Sequence, residues 1–359
     1  MMRNALLSRL GIGNPVIQGP MSGGPSTPEL VAAVSNAGGL GSFGAAYLTP
    51  DELTRAIRKV LSLTAKPFNV NLFAGGYEPA PRFDPQPMLD VLAEIHAALG
   101  LPAPVVPQLP PDPFPAQLEA VLDAGAPIFS FTFGIPGADA MARVKSRGLA
   151  VIGTATTVAE ARALVDAGVD AIAAQGAEAG GHRSTFAGAF EASMIPTLEL
   201  VRGICGAVAI PVIACGGIMD GRDIAAALGA GASAAALGTA FLASPESGAP
   251  QAHKQSILAA REDTTVITRA FSGRPARGLA NTFTARLAGR DGILLPYPLQ
   301  NLLTRPMRTA AAKLGEAGYL SMWAGTGVTR ARSLPAGELV DRLLDEMSAG
   351  EPANKSAGR

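Results

Sequence analysis

Eight short apolar runs, separated by segments with helical periodicity, recur along most of this 359-residue chain. Runs such as Ile128–Phe133 and Val212–Cys215 are apolar on both faces, which is typical of strands in a parallel sheet. Eight successive strand–helix units predict a (β/α)8 TIM barrel, and a doubly wound open sheet is the alternative. No G-x-G-x-x-G motif follows the first strand to support that alternative. The predicted strands are Val16–Gly19, Leu40–Phe43, Phe68–Leu72, Ile128–Phe133, Ala150–Thr154, Ala171–Gln175, Val212–Cys215 and Ala234–Gly238.

The segments between the strands carry signals for the start and end of helices. Thr27-Pro28-Glu29 and Thr49-Pro50 each place a capping residue before a proline at the first helical position. Glycine follows the last apolar residue of several segments, as in Ala230-Gly231, which is typical of a helix end. The predicted helices are Thr27–Ala37, Pro50–Leu63, Ala138–Arg147, Val158–Ala167, Met194–Cys205 and Gly221–Ala230.

Two regions depart from this repeat and define the expected domain organisation. We expect residues 1–245 to form the barrel, with a proline-rich insert at about 75–115 after the third strand and one helix near Met88–Leu99. Residues 246–322 are expected to form a helical cap that covers the barrel mouth and contacts substrate. Residues 323–349 then return to the barrel and end in a helix near Gly337–Met347, and residues 350–359 are expected to be a disordered tail.

Composition excludes several classes of protein. The chain has 29 Lys+Arg against 29 Asp+Glu and is 48% hydrophobic, so it is neither a disordered chain nor a nucleic-acid binder. Its first residues do not resemble a signal peptide, and we interpret the uncharged run Ile224–Pro245 as a buried helix and strand, not a membrane span. Because Cys205 and Cys215 cannot build a disulfide framework, we expect a reducing, cytoplasmic location.

Glycines concentrate where the predicted strands seven and eight end. Gly216 and Gly217 follow strand seven, and Gly238 with Thr239 follows strand eight. Phosphate groups often bind at this place in barrels, because glycine lets backbone N–H groups approach phosphate oxygens. The alternative interpretation is that these glycines only make tight turns.

The predicted loop after strand six carries the strongest catalytic candidate. His182 follows Gly180-Gly181 at a strand end, where catalytic groups of barrels lie, whereas His96 and His253 are expected at the surface. No second histidine or cysteine pair stands at metal-ligand spacing, so no metal site is predicted. The ends of strands one and three add further groups that suit a flavin ring, although core packing is the alternative role for Met21; these groups are Pro20, Met21, Ser22 and Asn69.

Together these motifs resemble the FMN-dependent nitronate monooxygenases, formerly called 2-nitropropane dioxygenases. The resemblance extends from Pro15 to about Arg330, and its most specific part is the stretch from Gly176 to Arg183. The segments that carry it are Gln18–Gly24, Asn69–Asn71, Gln175–Arg183, Ala214–Gly221, Gly238–Thr239, Tyr297–Asn301, Thr304–Pro306 and Trp323–Gly327.

The resemblance implies FMN as the cofactor and His182 as the catalytic residue. The implied reaction is oxidation of an alkyl nitronate by O₂ to a carbonyl compound and nitrite, through a flavin semiquinone. The phosphate is expected on Gly217, Gly238 and Thr239 next to Gly216, and the ring near Pro20, Met21, Ser22, Asn69, Gln175, Gly180 and Gly181. Trp323, Gly325 and Thr326 are expected to close over the flavin.

The cap departs from the family pattern and leaves the substrate open. Tyr297, Asn301 and Arg305 are the candidate substrate residues, but related members have tyrosine and lysine where Asn301 and Arg305 stand. Ser184 also replaces a glycine after the His-Arg pair. Arg305 either favours an anionic substrate or is a solvated cap residue.

The sequence is also compatible with two other functions. One is an NAD(P)H-dependent FMN reductase of enoyl thioesters or quinones on the same barrel, and the other is a non-catalytic flavin- or phosphate-binding protein. For the nitronate monooxygenase, the expected partners are a nitronate or nitroalkane and O₂, with a homodimer as the candidate assembly and no nucleic acid or membrane partner.

Overall fold

The computed structural model describes residues 4–77 and 83–349. The tail predicted at 350–359 and the tip of the insert at 78–82 lie outside the described residues. Within the described ranges the strands are β1 (Val16–Gln18), β2 (Gly41–Gly44), β3 (Phe68–Phe73), β4 (Ile128–Thr132), β5 (Ala150–Ala155), β6 (Ala171–Gln175), β7 (Gly181–His182), β8 (Val212–Cys215), β9 (Ala234–Leu237), β10 (Thr265–Thr268) and β11 (Ala276–Leu279).

Eight of these strands form one parallel sheet that closes into a barrel. Its order is β1-β9-β8-β6-β5-β4-β3-β2, and a parallel bridge between Ile17 and Leu40 brings the two end strands together. The predicted (β/α)8 TIM barrel and its eight strands are therefore confirmed, with bounds that differ by at most one residue at either end. All eight carboxyl ends consequently lie at one mouth of the barrel.

The helices follow the strands in the expected alternation. They are α1 (Ala5–Leu10), α2 (Pro28–Asn36), α3 (Pro50–Leu63), α4 (Gln86–Ala98), α5 (Phe114–Ala124), α6 (Ala138–Ser146), α7 (Val158–Asp166), α8 (Thr197–Cys205), α9 (Gly221–Gly229), α10 (Thr239–Leu242), α11 (Gln251–Ala259), α12 (Thr282–Arg286), α13 (Leu299–Leu314) and α14 (Ala336–Ala349). Short 3₁₀ turns lie at Glu191–Ser193, Asp291–Ile293, Ala317–Tyr319 and Val328–Arg330.

Helices α2 and α3 begin directly after the capping residues that the sequence predicted. The Thr27 hydroxyl accepts a hydrogen bond from Leu30 N, and Thr49 forms a reciprocal capping box with Glu52. Helix α8 is shorter than predicted, because it begins at Thr197 directly after Pro196, which has an extended backbone conformation at the N-cap.

The hydrophobic core has separate barrel and cap parts. Leu40, Ile152 and Ile213 belong to a cluster inside the barrel, and a larger cluster joins the outer faces of the strands to their helices. Helix α4 of the insert packs instead with cap residues, such as Met88 with Phe271. The insert and the cap therefore share one core above the barrel mouth.

The cap contains strands as well as helices, so the prediction of a purely helical cap was incomplete. Strands β10 and β11 pair antiparallel, and β11 also pairs with β7 in the loop after β6. In this register Ala276 lies opposite His182. The cap is thus joined by backbone hydrogen bonds to the loop that carries the catalytic candidate.

Two histidines occupy places that the sequence analysis did not predict. His96 is 3% exposed and its Nδ1 lies 2.7 Å from the Pro102 carbonyl oxygen, while His253 on α11 is 4% exposed. The prediction that both lie at the surface was wrong, because α4 and α11 turn these side chains toward neighbouring segments. No helix in the described part of the chain is both long and apolar enough to cross a membrane.

Candidate active site

A cavity of about 600 Å³ opens where the barrel strands end and the cap covers them. This volume lies in the range of small-molecule and cofactor sites, and its position is that of active sites in TIM barrels. Residues from all eight barrel strands or the loops after them contribute to its wall, and the cap contributes the opposite side.

Most of the predicted site residues line this one cavity. His182 and the candidate cap residues Asn301 and Arg305 face it. The predicted cofactor residues that line it are Pro20, Met21, Ser22, Asn69, Gln175, Gly180, Gly181, Gly216, Gly217, Gly238, Thr239, Trp323 and Gly325.

Two of the predicted site residues, Thr326 and Tyr297, do not line the cavity but lie behind the residues that do. The Thr326 N–H donates to Glu178 O at 3.1 Å, which holds the return segment against the loop after β6. The Tyr297 ring packs against His182, with centroids 6.2 Å apart, and its hydroxyl is buried beside that of Tyr47. Burial raises the pKa of Tyr297 well above its ordinary value.

The sequence analysis missed several polar residues that the structure brings to the cavity. Tyr47 follows β2 by three positions, and burial raises the pKa of its phenol, which lies beside the hydroxyl of Tyr297. His253, Arg308 and Lys313 line the cavity from the cap side. A signal for Arg308 existed, because it lies seven residues after Asn301 and therefore on the same face of α13.

The glycine loops after β8 and β9 form a backbone-lined pocket at one end of the cavity. Gly217 adopts φ +69°, and a Cβ there would lie 3.0 Å from Glu178 Cβ. A Cβ at Gly238 would meet only Met21 Sδ, at 3.9 Å, so it would project into the open cavity. Among the described residues we find no acceptor for the N–H groups of Gly217 and Gly238. These donors suit an anionic group such as phosphate.

Thr239 joins this pocket to the segment that returns from the cap. Its Oγ1 accepts a hydrogen bond from Gly325 N at 2.9 Å, so its own proton remains available to a ligand. A Cβ at Gly325 would lie 2.5 Å from Glu178 O, and one at Gly180 would lie 2.5 Å from Ala324 C. These glycines are therefore required by the close approach of three backbone segments around the pocket.

The barrel floor of the cavity is polar and only partly satisfied. Asn69 Nδ2 and Asn71 Nδ2 both donate to Ser130 Oγ, each at 2.9 Å. Buried oxygens of Ser42, Asn69 and Thr132 have no hydrogen-bond partner within the described ranges. Since buried polar atoms are normally hydrogen-bonded, these atoms fit a bound heteroaromatic ring with several donors and acceptors.

Gln175 lines the cavity and also holds the loop after β6. Its Nε2 donates to His182 O at 3.0 Å, and its Oε1 accepts from Ser184 N at 2.9 Å. The buried Arg183 donates to Gly176 O at 2.7 Å and to Ser193 Oγ at 3.1 Å. Both side chains therefore fix the shape of the loop that presents His182.

His182 lies at the junction of barrel and cap. Its Nε2 is 2.8 Å from Ser272 Oγ of the cap, and its ring packs between Trp323, at 5.4 Å, and Phe133, at 5.8 Å. Burial, together with the charges of Arg274 and Arg308, lowers the pKa of His182 to about 3. The imidazole is therefore neutral at pH 7 and has one unprotonated ring nitrogen, although the same surroundings make it a weak base while no anion lies beside it.

The charged groups around the cavity are all cationic. Arg305, Arg308 and Lys313 line it, and no aspartate or glutamate is among its lining residues in the described part of the chain. Burial lowers the pKa of Arg308 to about 10, so it remains cationic at neutral pH. One of its Nη2 contacts is with Asn301 Oδ1, at 2.8 Å. Such a cavity attracts small anions.

The fold and the site together define a TIM barrel whose ligand cavity lies at the carboxyl ends of the strands. A family model described as nitronate monooxygenase matches residues 3–346. The chain belongs to the nitronate monooxygenase family.

Relatives and solved structures are similar to this chain over nearly its whole length. A protein of Staphylococcus haemolyticus described as "Probable nitronate monooxygenase" is 41% identical over 346 residues, which are 96% of this chain and 97% of that protein. The nitroalkane oxidase from Streptomyces ansochromogenes has a TM-score of 0.89 and 42% identity, covering 96% of this chain and 98% of its own. FabK from Thermotoga maritima has a TM-score of 0.76 and 28% identity, covering 97% of both chains.

The family is flavin-dependent, and the residues of this chain fit a flavin. The unpaired N–H groups of Gly217 and Gly238 are arranged for a phosphate, and the unpaired oxygens of Ser42, Asn69 and Thr132 for a polar ring edge. A Cβ added at Gly238 would project into the open cavity and would obstruct such a ligand.

Proposed function

We propose that the protein is an FMN-dependent nitronate monooxygenase, which oxidises alkyl nitronates with O₂ to carbonyl compounds and nitrite. The observation that carries this proposal is a neutral histidine in a cavity with three cationic side chains and, among the described residues, no carboxylate. A nitronate is an anion, and its nitroalkane precursor is a carbon acid, so the cavity offers both a counter-charge and a base.

The residues that would hold FMN are those of the backbone pocket and the polar floor. Gly217, Gly238 and Thr239 are assigned to the phosphate, and Asn69 to the ring. The chemistry that FMN supplies when bound is electron transfer from the substrate to O₂, which no amino-acid side chain provides. The barrel itself supplies position and electrostatics.

The cap residues are assigned to the substrate. The Arg308 guanidinium, buried beside Asn301, balances the charge of a nitronate, and Arg305 and Lys313 add positive potential at the same side. Neutral His182 accepts the Cα proton of a nitroalkane. The Trp323 and Phe133 rings that flank His182 exclude water from this proton transfer.

An absorption spectrum of purified protein and anaerobic reduction test the proposal. We expect a flavin spectrum that bleaches on mixing with an alkyl nitronate, and nitrite release after O₂ is admitted. A flavin that bleaches rapidly with NADH or NADPH and not with nitronate would sink the proposal.

That outcome would support the second candidate, an NAD(P)H-dependent FMN reductase. The observation that favours this candidate is the 28% identity and whole-chain similarity to FabK of Thermotoga maritima. The higher identity to the Streptomyces nitroalkane oxidase, 42%, supports oxidation of nitro compounds as the first candidate. Both described cysteines are free thiols, and we assign the protein to the reducing cytoplasm.

A further inference from the structure

Ser272 lies in the cap turn between β10 and β11 and is 1% exposed. The N–H groups of Ser272 and Gly273 both donate to Arg269 O, at 3.2 and 2.7 Å. Gly273 has φ +81°, and a Cβ there would lie 2.3 Å from Leu295 O. The turn is therefore fixed on both sides, and the position of the Ser272 hydroxyl is fixed with it.

The Ser272 hydroxyl has three neighbours, two of which have only one possible role. Its Oγ is 3.1 Å from Arg274 O, which can only accept, and 3.2 Å from Arg274 N, whose hydrogen can only be donated. The Nε2–H tautomer of His182 is the one that satisfies all three contacts at once. In that arrangement the hydroxyl proton is donated to Arg274 O, and His182 Nε2 donates to Ser272 Oγ across 2.8 Å.

A neutral imidazole that carries its proton on Nε2 has its free electron pair on Nδ1. Within the described ranges no hydrogen bond to His182 Nδ1 is found, and His182 lines the cavity. The charged groups that act on the ring are Arg274 and Arg308, and its other neighbours are the rings of Phe133, Tyr297 and Trp323. Among the described residues none of these groups makes a hydrogen bond to the imidazole, so Ser272 is the group that can select its tautomer.

We propose that Ser272 is a positioning residue that fixes His182 as the Nε2–H tautomer and thereby presents Nδ1 to the substrate. This role rests on the proposed function where it concerns turnover, but the tautomer itself does not. In the proton transfer, the Cα–H bond of the nitroalkane breaks and its electron pair moves into the nitro group, which gives the nitronate. The proton forms a bond with Nδ1, which gives an imidazolium, and the Nε2–H bond to Ser272 is retained.

The tautomer can be measured without any substrate by ¹⁵N NMR of the flavin-loaded protein labelled at histidine. The chain has three histidines, so the His182→Asn variant assigns the His182 signals by difference. We expect a protonated, pyrrole-type Nε2 and an unprotonated Nδ1. A protonated Nδ1 would overturn the proposal, even if the protein proves to be inactive on nitro compounds.

Ser272→Ala tests the consequence for turnover. Loss of the hydroxyl should produce a mixture of tautomers and lower kcat for a neutral nitroalkane about ten- to hundredfold. Turnover of a preformed nitronate, which needs no proton removed, should change less than about threefold, and Ser272→Thr should restore nitroalkane turnover.

Ser244→Ala is the matched control, because Ser244 is also fully buried but makes no side-chain hydrogen bond in the described structure. It should leave the His182 signals and both activities unchanged. Equal losses on nitroalkane and nitronate in Ser272→Ala, with an unchanged tautomer, would show a merely structural role and overturn the proposal.

Discussion

The barrel half and the cap half of the cavity differ in chemistry. The barrel half offers backbone N–H groups at Gly217 and Gly238 and neutral amide and hydroxyl groups such as Asn69. The cap half offers the cations Arg305 and Arg308. A neutral surface of hydrogen-bonding groups suits a cofactor held in one orientation, whereas a cationic surface suits a small anion that enters and leaves. The two halves therefore have separable tasks.

His182 belongs to both halves. Its carbonyl accepts a hydrogen bond from Gln175 at the end of β6, while its backbone pairs with Ala276 of the cap and its Nε2 contacts Ser272. The proton acceptor is thus held at the boundary between the proposed flavin and substrate regions. Substitutions in the barrel half should therefore change FMN affinity, substitutions in the cap half should change KM for the substrate, and substitution of His182 should change turnover.

The largest effect is expected at the boundary. His182→Asn removes the proposed base and should lower kcat/KM for a neutral nitroalkane about 10²- to 10⁴-fold, while the flavin content remains that of the unchanged protein. Turnover of a preformed nitronate should fall less. Steady-state nitrite release and the flavin absorbance of the same samples give both quantities. Unchanged nitroalkane turnover would remove His182 from the mechanism and favour a different base or a non-catalytic role.

In the barrel half, Gly238→Ala should weaken FMN binding about ten- to hundredfold, since the added methyl group enters the cavity. Gly238 has φ −96°, which alanine adopts without strain, so the free energy of unfolding of the apoprotein should be unchanged. Fluorescence titration of apoprotein with FMN and thermal unfolding measure the two properties.

The matched control for this prediction is Gly229→Ala at the end of α9, where a Cβ would meet nothing within 4 Å. FMN affinity should be unaffected there. An equal loss of affinity in both variants, or none in Gly238→Ala, would contradict the position assigned to the phosphate.

The same division separates what the sequence could predict from what it could not. The barrel followed from local signals: apolar strand runs, the caps at Thr27 and Thr49, and glycines at strand ends. Because the carboxyl ends of all strands meet at one mouth, residues far apart in the chain, such as Met21 and Gly238, could be placed in one site. Tyr47 could have been found by the same rule.

The cap could not be predicted in this way, because its contacts join distant parts of the chain. The bond between His182 and Ser272 spans 90 residues, and the pairing of β7 with β11 leaves no pattern in either short segment. His253 lies among polar neighbours on α11, so its burial arises only from packing against other segments. Local periodicity carries no information on such contacts.

In the cap half, Arg308→Met should raise KM for a nitronate about tenfold, with a smaller change in kcat and no change in FMN affinity. The half-buried Arg308 is screened less by solvent than the exposed Arg305. Arg305→Met is therefore the control, with an expected change in KM of about twofold that disappears at high salt. Equal effects at the two positions, or a loss of FMN from Arg308→Met, would contradict the division between the halves.

The smallest effect concerns the stability of the cap against acid. Burial lowers the pKa of His253 to about 4 and that of His182 to about 3, so both are neutral when folded and are protonated near pH 6.5 when unfolded. The unfolded state then binds more protons below pH 6.5, and the free energy of unfolding should decrease by about 1 kcal/mol per histidine for each pH unit between about pH 6 and pH 4. Urea unfolding of His253→Gln across this range should show about half of the decrease that these two histidines cause. A slope identical to that of the unchanged protein would show that His253 is solvated and that the cap does not seal this side of the cavity.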